Sequence, residues 1–218
     1  MRVLLSGIVG STAYGLATPE SDIDRLGVFA VPTVELHGLH TPAETIVTAR
    51  PDSTYHEARK FCALALTGNP TVSELMWLPS DLYEVESDPG RDLIGIRSAF
   101  LSAPAVRDAY LGYASQQFRR LAGKGPDRRT AKHARHLMRL CHQGLHLYRT
   151  GELVIRLADP EAFRAFGNRV AGGDLEAARS LIADYEAAFD EAHTVLPDRP
   201  DEGVVVSWLR SVRAAYLP

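Results

Sequence analysis

An α+β fold, with a small mixed-sheet domain at residues 1–103 and a helical domain at 104–218, is what the sequence predicts, and three observations carry that expectation. Apolar runs of strand length lie early in the chain. From about Gly90 onward, apolar positions recur at helical spacing. Runs of strands followed by runs of helices build layered α+β architectures rather than an alternating parallel sheet. The boundary is drawn near Ser102-Ala103-Pro104, where a proline interrupts the pattern.

Val3 to Val9 reads as a buried strand, broken at Gly10-Ser11 into a short helical turn, Thr12 to Leu16. Thr18-Pro19-Glu20-Ser21 reads as a turn returning the chain, and Asp22-Ile23-Asp24 opens a second apolar run through Val31. Glu44 to Ala49 is a third strand candidate. Apolar positions at 58, 61, 62, 64, 65 and 66 predict a helix over 54–66, ended by Gly68-Asn69-Pro70, and Thr71 to Trp77 reads as another. Further helices are expected over 91–101, 105–122, 128–150, 160–170, 174–195 and 203–216.

Function concentrates in residues 10 to 24. A strand that breaks at Gly-Ser offers backbone N–H groups to phosphate oxygens. Asp22 and Asp24, two apart on a strand, are expected to project together with Ile23 in the core. Paired carboxylates repel unless a cation stands between them, and hard oxygen ligands beside phosphate suit Mg²⁺ or Mn²⁺. The segment therefore reads as a site for metal-bound triphosphate, the arrangement used in two-metal phosphoryl or nucleotidyl transfer. Tyr14 and Tyr55 flank it and are candidates to stack on a base.

Length and composition exclude several classes. The 218 residues are 45% hydrophobic and 23% charged, ordinary for a globular chain, and no apolar run reaches the length of a membrane span. No signal peptide is evident, so a cytoplasmic protein is expected. Cys62 and Cys141, single residues in apolar patterns, are expected to be buried thiols. The net charge of −3 conceals a basic block: residues 104–151 hold ten Lys/Arg against two Asp/Glu. Such a block fits phosphate or nucleic acid as partner, or a solvated helix face that neutralises acidic neighbours. Within it, Lys132, Arg135, His136 and Arg139 follow the spacing of one helix face, which makes Lys132 and Arg139 candidates to hold the β- and γ-phosphates. The pairs His133/His136 and His142/His146 read as polar histidines rather than zinc ligands, since no further ligands accompany them.

The stretch GSTAYGL followed by SDID resembles the G-S-x(n)-D-x-D signature of the DNA polymerase β-like nucleotidyltransferase superfamily. More narrowly it is similar to a prokaryotic and phage family of nucleotidyltransferases that includes RNA-repair-associated polymerase-β-like proteins. Further matches lie in Tyr55-His56-Glu57-Ala58-Arg59-Lys60-Phe61, Gly68-Asn69-Pro70, Glu74-Leu75-Met76-Trp77-Leu78-Pro79 and Lys132-His133-x-x-His136-x-x-Arg139-Leu140. The likeness covers about residues 1 to 150. It implies a nucleotidyltransferase domain that moves an NMP from an NTP to an acceptor hydroxyl, an RNA 3′ end being one candidate, with release of pyrophosphate. It also implies a third metal-binding carboxylate, for which Asp52 is the best match by order and Glu57 the rival, and makes Lys60 a nucleotide contact. The metal set is then Asp22, Asp24 and Asp52, and the nucleotide set Gly10, Ser11, Tyr14, Lys60, Lys132 and Arg139. A second reading is a catalytically weak or inactive nucleotidyltransferase-like binding module of a toxin-antitoxin or regulatory complex. The base, the acceptor and the oligomeric state stay open in the sequence.

Overall fold

The computed structural model describes residues 1–19, 21–122 and 128–217. The chain divides into two units, one made of Met1–Leu101 with Pro200–Pro218 and the other of Ser102–Arg199. The division falls two residues before the expected boundary, and the last helix, expected with the helical part, belongs to the sheet-bearing unit.

The first unit is built on a five-stranded mixed sheet: β1 (Arg2–Val9), β2 (Asp24–Ala30), β3 (Thr45–Ala49), β4 (Asp52–Glu57) and β5 (Tyr83–Glu86), ordered β3-β4-β2-β1-β5. Only β2 and β4 run parallel; the other neighbours are antiparallel. Central strands β1 and β2 carry continuous apolar runs, and Leu4, Leu5, Leu26, Val28 and Phe29 are buried. Helix α1 (Gly10–Tyr14) follows β1, α2 (Ala58–Leu66) follows β4, and α3 (Pro70–Ser73) and α4 (Asp88–Gly95) complete the first pass. Short 3₁₀ turns cover Thr33–His37, Glu74–Trp77, Ser80–Leu82 and Arg97–Phe100.

Two sequence expectations change here. The helix expected over 54–66 starts only at Ala58, because Thr54-Tyr55-His56 form the middle of β4 against β2. β-branched and aromatic residues favour that pleated, half-buried surface. The strand β5 was not expected at all; only four residues long and largely exposed, it carries too little apolar signal to register.

The second unit contains α5 (Ala103–Ala122), α6 (Arg128–Thr150), α7 (Pro160–Ala171) and α8 (Leu175–Glu191). Helix α6 is central and packs against α5, α7 and α8. Gly144 permits the α5 approach, since a Cβ there would stand 2.6 Å from Tyr110 Cβ. Leu111, Leu145 and Phe189 form a cluster between α5, α6 and α8, flanked by Tyr148 and Tyr185.

Helix α9 (Glu202–Ala215) returns to the first unit. Arg213 reaches both carboxylate oxygens of Glu57, at 2.6 and 2.9 Å, and Thr33 donates to the Arg213 carbonyl at 2.7 Å. Among the described residues no helix is long and apolar enough to cross a membrane.

Candidate functional site

The acidic motif and the Gly-Ser turn meet at one end of the sheet. β1 ends at Val9, whose partner on β2 is Asp24, the first residue of that strand. Immediately after Val9, Gly10 turns with φ +69°, a left-handed conformation that L side chains rarely adopt. A Cβ at Gly10 would lie 2.3 Å from Asp24 Oδ2, so glycine is required twice over, by the backbone and by the carboxylate that occupies the side-chain space. Ser11, half-buried, follows in the first turn of α1, which Gly15 closes at φ +77°. The return turn is held by Thr18 N–H donating to Ser21 Oγ at 2.9 Å; Glu20 lies outside the described residues.

Asp22 and Ile23 differ from expectation. Strand β2 begins at Asp24, and Ile23 is 46% exposed rather than in the core. The reason is the length of β1: once Gly10 turns away, no strand remains to pair with anything before Asp24. Asp22 is exposed in the irregular segment just ahead of the strand.

Asp52 opens β4 and is exposed, paired with Ala49 across the β3–β4 hairpin. β4 runs parallel to β2 with Arg25 opposite Ser53. Asp24 and Asp52, the residues just before that pair, therefore open the two strands at the same end of the sheet. Glu57, the rival acid, lies at the other end of β4, about 16 Å along the strand. It is buried, accepts the Arg59 N–H at 2.8 Å as the N-cap of α2, and is ion-paired to Arg213. Its carboxylate is thus committed to holding α2 and α9.

Other candidates are placed apart from the aspartates. Lys60 sits in the first turn of α2, beyond the Glu57 end of β4; its charge, after burial, holds the His56 imidazole below its usual range. Tyr14 is 7% exposed, and its hydroxyl donates to Glu74 at 2.5 and 2.6 Å. Its ring is part of the core, not a platform for a base. Tyr55 lays its ring over Gly27, where a Cβ would meet it at 2.4 Å. Arg25, inside the acidic motif, is held by Glu84 on β5 at 2.8 and 3.0 Å.

In the second unit the basic helix separates into two parts. Lys132 is exposed. Arg139 is 1% exposed and donates to Gln143 Oε1 at 2.6 Å and to His136 Nδ1 at 3.0 Å. Gln143 in turn donates to the carbonyls of Val154 and Ile155. The helix face that is open at Lys132 is covered lower down by the segment after α6, in which Leu153, Ile155 and Leu157 are buried. Arg139 therefore points into a packed interior rather than toward a solvent-borne triphosphate. Burial first, then the charges of Arg139, His133, Lys132 and Arg120, hold the His136 imidazole down at about 2, so it is neutral and accepts from Arg139. Both cysteines are free and buried, their thiols pushed up to about 12 mainly by burial.

The candidate ligands offer the donor type of a hard divalent cation, but they do not gather into a three-carboxylate cluster. Every candidate ligand is a carboxylate oxygen, and Mg²⁺ characteristically takes one or two protein carboxylates and completes its shell with phosphate and water. Among the described residues no group of three or more His, Cys, Asp or Glu side chains could hold a metal.

The model of RlaP, the RNA repair pathway DNA polymerase beta family, matches residues 1–165. The chain belongs to this family. The match spans the whole sheet, the Gly-Ser turn, all three aspartates and most of the second unit, and stops before α9, so Glu57 lies inside it and its partner Arg213 outside. A comparison with curated proteins gave no match. Glu74, quoted above only as part of a family match, bonds Tyr14 across 60 positions, a link that no local spacing reveals.

Proposed function

We propose that this chain is a metal-dependent nucleotidyltransferase whose site is the sheet end carrying Gly10, Ser11, Asp22, Asp24 and Asp52. The observation that carries the reading is the Asp24 carboxylate filling the space a Gly10 side chain would need. A phosphate held on the Gly10–Ser11 backbone is thereby set beside the carboxylates. Membership of a polymerase β-like RNA repair family supports the same chemistry. Mg²⁺ or Mn²⁺ bound through one or two of these aspartates, with phosphate and water completing its shell, would neutralise the triphosphate and make the acceptor hydroxyl more acidic.

The chain's own residues bind and orient. Gly10 and Ser11 hold the triphosphate through N–H and hydroxyl donors, and Asp52, one strand over from Asp24, faces the acceptor. The acceptor oxygen bonds to the α-phosphorus of the NTP as the bond to the bridging oxygen breaks; pyrophosphate leaves and the hydroxyl proton passes to water. Catalysis is positioning and charge neutralisation, with no covalent enzyme intermediate.

An RNA acceptor is supported by the second unit. Among the described residues, the exposed Arg119, Arg120, Arg129 and Lys132 form no ion pair, whereas Arg164, Arg169 and Arg179 on α7 and α8 each pair with an acid. The cationic groups acting on His136 show that positive charge accumulates around the start of α6. The test is incubation with each α-labelled NTP, Mg²⁺ or Mn²⁺, and RNA bearing a free or a blocked 3′ hydroxyl. Label transferred only to the free 3′ end supports the reading. NTP binding without transfer to RNA, protein or small-molecule hydroxyls would leave a binding module instead.

A further inference from the structure

We propose that Glu74 is a positioning residue for the Gly10–Ser11 turn, acting through its buried hydrogen bond to Tyr14, and that the segment 70–82 grips that turn on both flanks. The inference rests on the reading of the turn as the triphosphate contact. Helix α1 is five residues long, and no side chain caps its start. A helix of that length cannot hold itself, so its direction has to come from tertiary contacts. One contact lies at its end, where the Tyr14 hydroxyl meets both oxygens of Glu74, a carboxylate only 1% exposed.

The other contact lies before the turn. Gly7 is two residues from the end of β1, and a Cβ there would stand 2.5 Å from Leu78 Cδ1 and 2.8 Å from the Leu82 carbonyl oxygen. The same stretch of chain thus presses on β1 just ahead of Gly10 and bonds α1 just behind Ser11.

The gripping segment is itself fixed. Gly68 at φ +70° ends α2, the Asn69 side chain accepts from the N–H groups of Thr71 and Val72, and Pro70 opens α3. The Tyr83 hydroxyl donates to the Leu75 carbonyl at 2.9 Å, and the Arg97 guanidinium stacks 4.2 Å from the Trp77 ring centroid. A carboxylate and a hydroxyl buried together fill space no better than an apolar pair, and their desolvation is costly. What they add is a defined direction, since a hydrogen bond is angular where packing is not.

The test uses the full chain with Tyr14→Phe, Glu74→Gln and Glu74→Leu. Tyr14→Phe keeps the ring and loses the bond; it should raise KM for NTP about tenfold, the equivalent of one hydrogen bond to a charged group, with kcat changed less than about threefold. Glu74→Gln keeps an acceptor for the hydroxyl and should stay near wild type, while Glu74→Leu should follow Tyr14→Phe. Amide exchange supplies a readout independent of nucleotide: residues 10–14 should exchange faster in Tyr14→Phe while residues 2–9 keep their protection. If the wild-type chain binds no NTP, the reading of the turn fails, and the exchange arm alone decides the brace. Wild-type exchange at 10–14 in Tyr14→Phe, or equal loss of protection across β1 and β2, would overturn it.

Discussion

The acidic end of the sheet and the basic helix α6 were singled out by the same kind of spacing argument, yet the structure treats them differently. At the sheet end, one strand pair turns the second aspartate of the motif into geometry, while Asp22 stays outside the strand. Asp24 is fixed by pairing with Val9, and the glycine beside it leaves open the space that the carboxylate occupies. On α6, three- and four-residue spacing correctly aligned Lys132, His136 and Arg139, but spacing carries no information on what covers the face. The segment after α6 buries Arg139 and leaves Lys132 open. A periodic pattern gives the direction of a side chain; its environment is set by chain that lies elsewhere in the sequence.

The widest separation between the two regions is expected in activity. Asp24→Asn and Asp52→Asn should each lower the rate of label transfer by more than about a hundredfold, exceeding the loss typical of changing a residue that merely supports a metal ligand. Thermal melts of both variants should match or exceed wild type, because removing one carboxylate relieves repulsion. Glu57→Gln should instead lower the melting temperature and leave the rate per folded molecule intact. A catalytically dead but stable Glu57→Gln beside an active Asp52→Asn would transfer the third-acid role.

In α6 the contrast should appear in stability. Arg139→Ala strands Gln143 and His136 without their donor and should cost about 3 kcal/mol of unfolding free energy, whereas exposed Lys132→Ala should change it by less than about 0.5 kcal/mol. Denaturant titration of the two variants checks this. Arg139→Ala that remains fully stable yet loses NTP binding would restore Arg139 to the triphosphate.

Acid should unsettle the same interior. His136 titrates near 6.5 when unfolded and at about 2 when folded, so between those values the unfolded chain binds the extra proton. The stability contributed by neutral His136 is complete above 6.5 and falls as the pH drops below it. Melting temperature should therefore decline on acidification from pH 7 to 5, and His136→Gln should flatten that decline. An identical slope in the variant would mean that other groups carry it.

Much of this was legible before the fold was known. The Gly-Ser turn and the D-x-D pair announce each other because both lie within fifteen residues of one β-α-β passage. The strand nature of residues 52–57 was hidden, because the apolar positions of Ala58 to Leu66 impose a helical period on the window that contains them. The commitments of Tyr14 to Glu74 and Glu57 to Arg213 were illegible for a simpler reason: the partners stand 60 and 156 positions away.

The smallest expected effect concerns the exposed cations at the end of α5 and the start of α6. Replacing Arg119, Arg120, Arg129 or Lys132 singly by alanine should weaken RNA binding modestly and flatten its dependence on log salt by about one unit for each phosphate no longer neutralised. NTP binding should not change. A salt slope unaffected in all four would make the basic block a solvated face.

The central claim is that the turn and the aspartates form one metal–triphosphate site, and the most direct measurement is calorimetric binding of Mn²⁺ with a non-hydrolysable NTP to wild type, Gly10→Ala and Asp24→Asn. A Cβ at residue 10 cannot coexist with the present position of Asp24 Oδ2, so both variants should lose at least about tenfold in affinity, equivalent to about 1.4 kcal/mol, while keeping the wild-type fold by circular dichroism. Wild-type affinity in both variants would contradict the account.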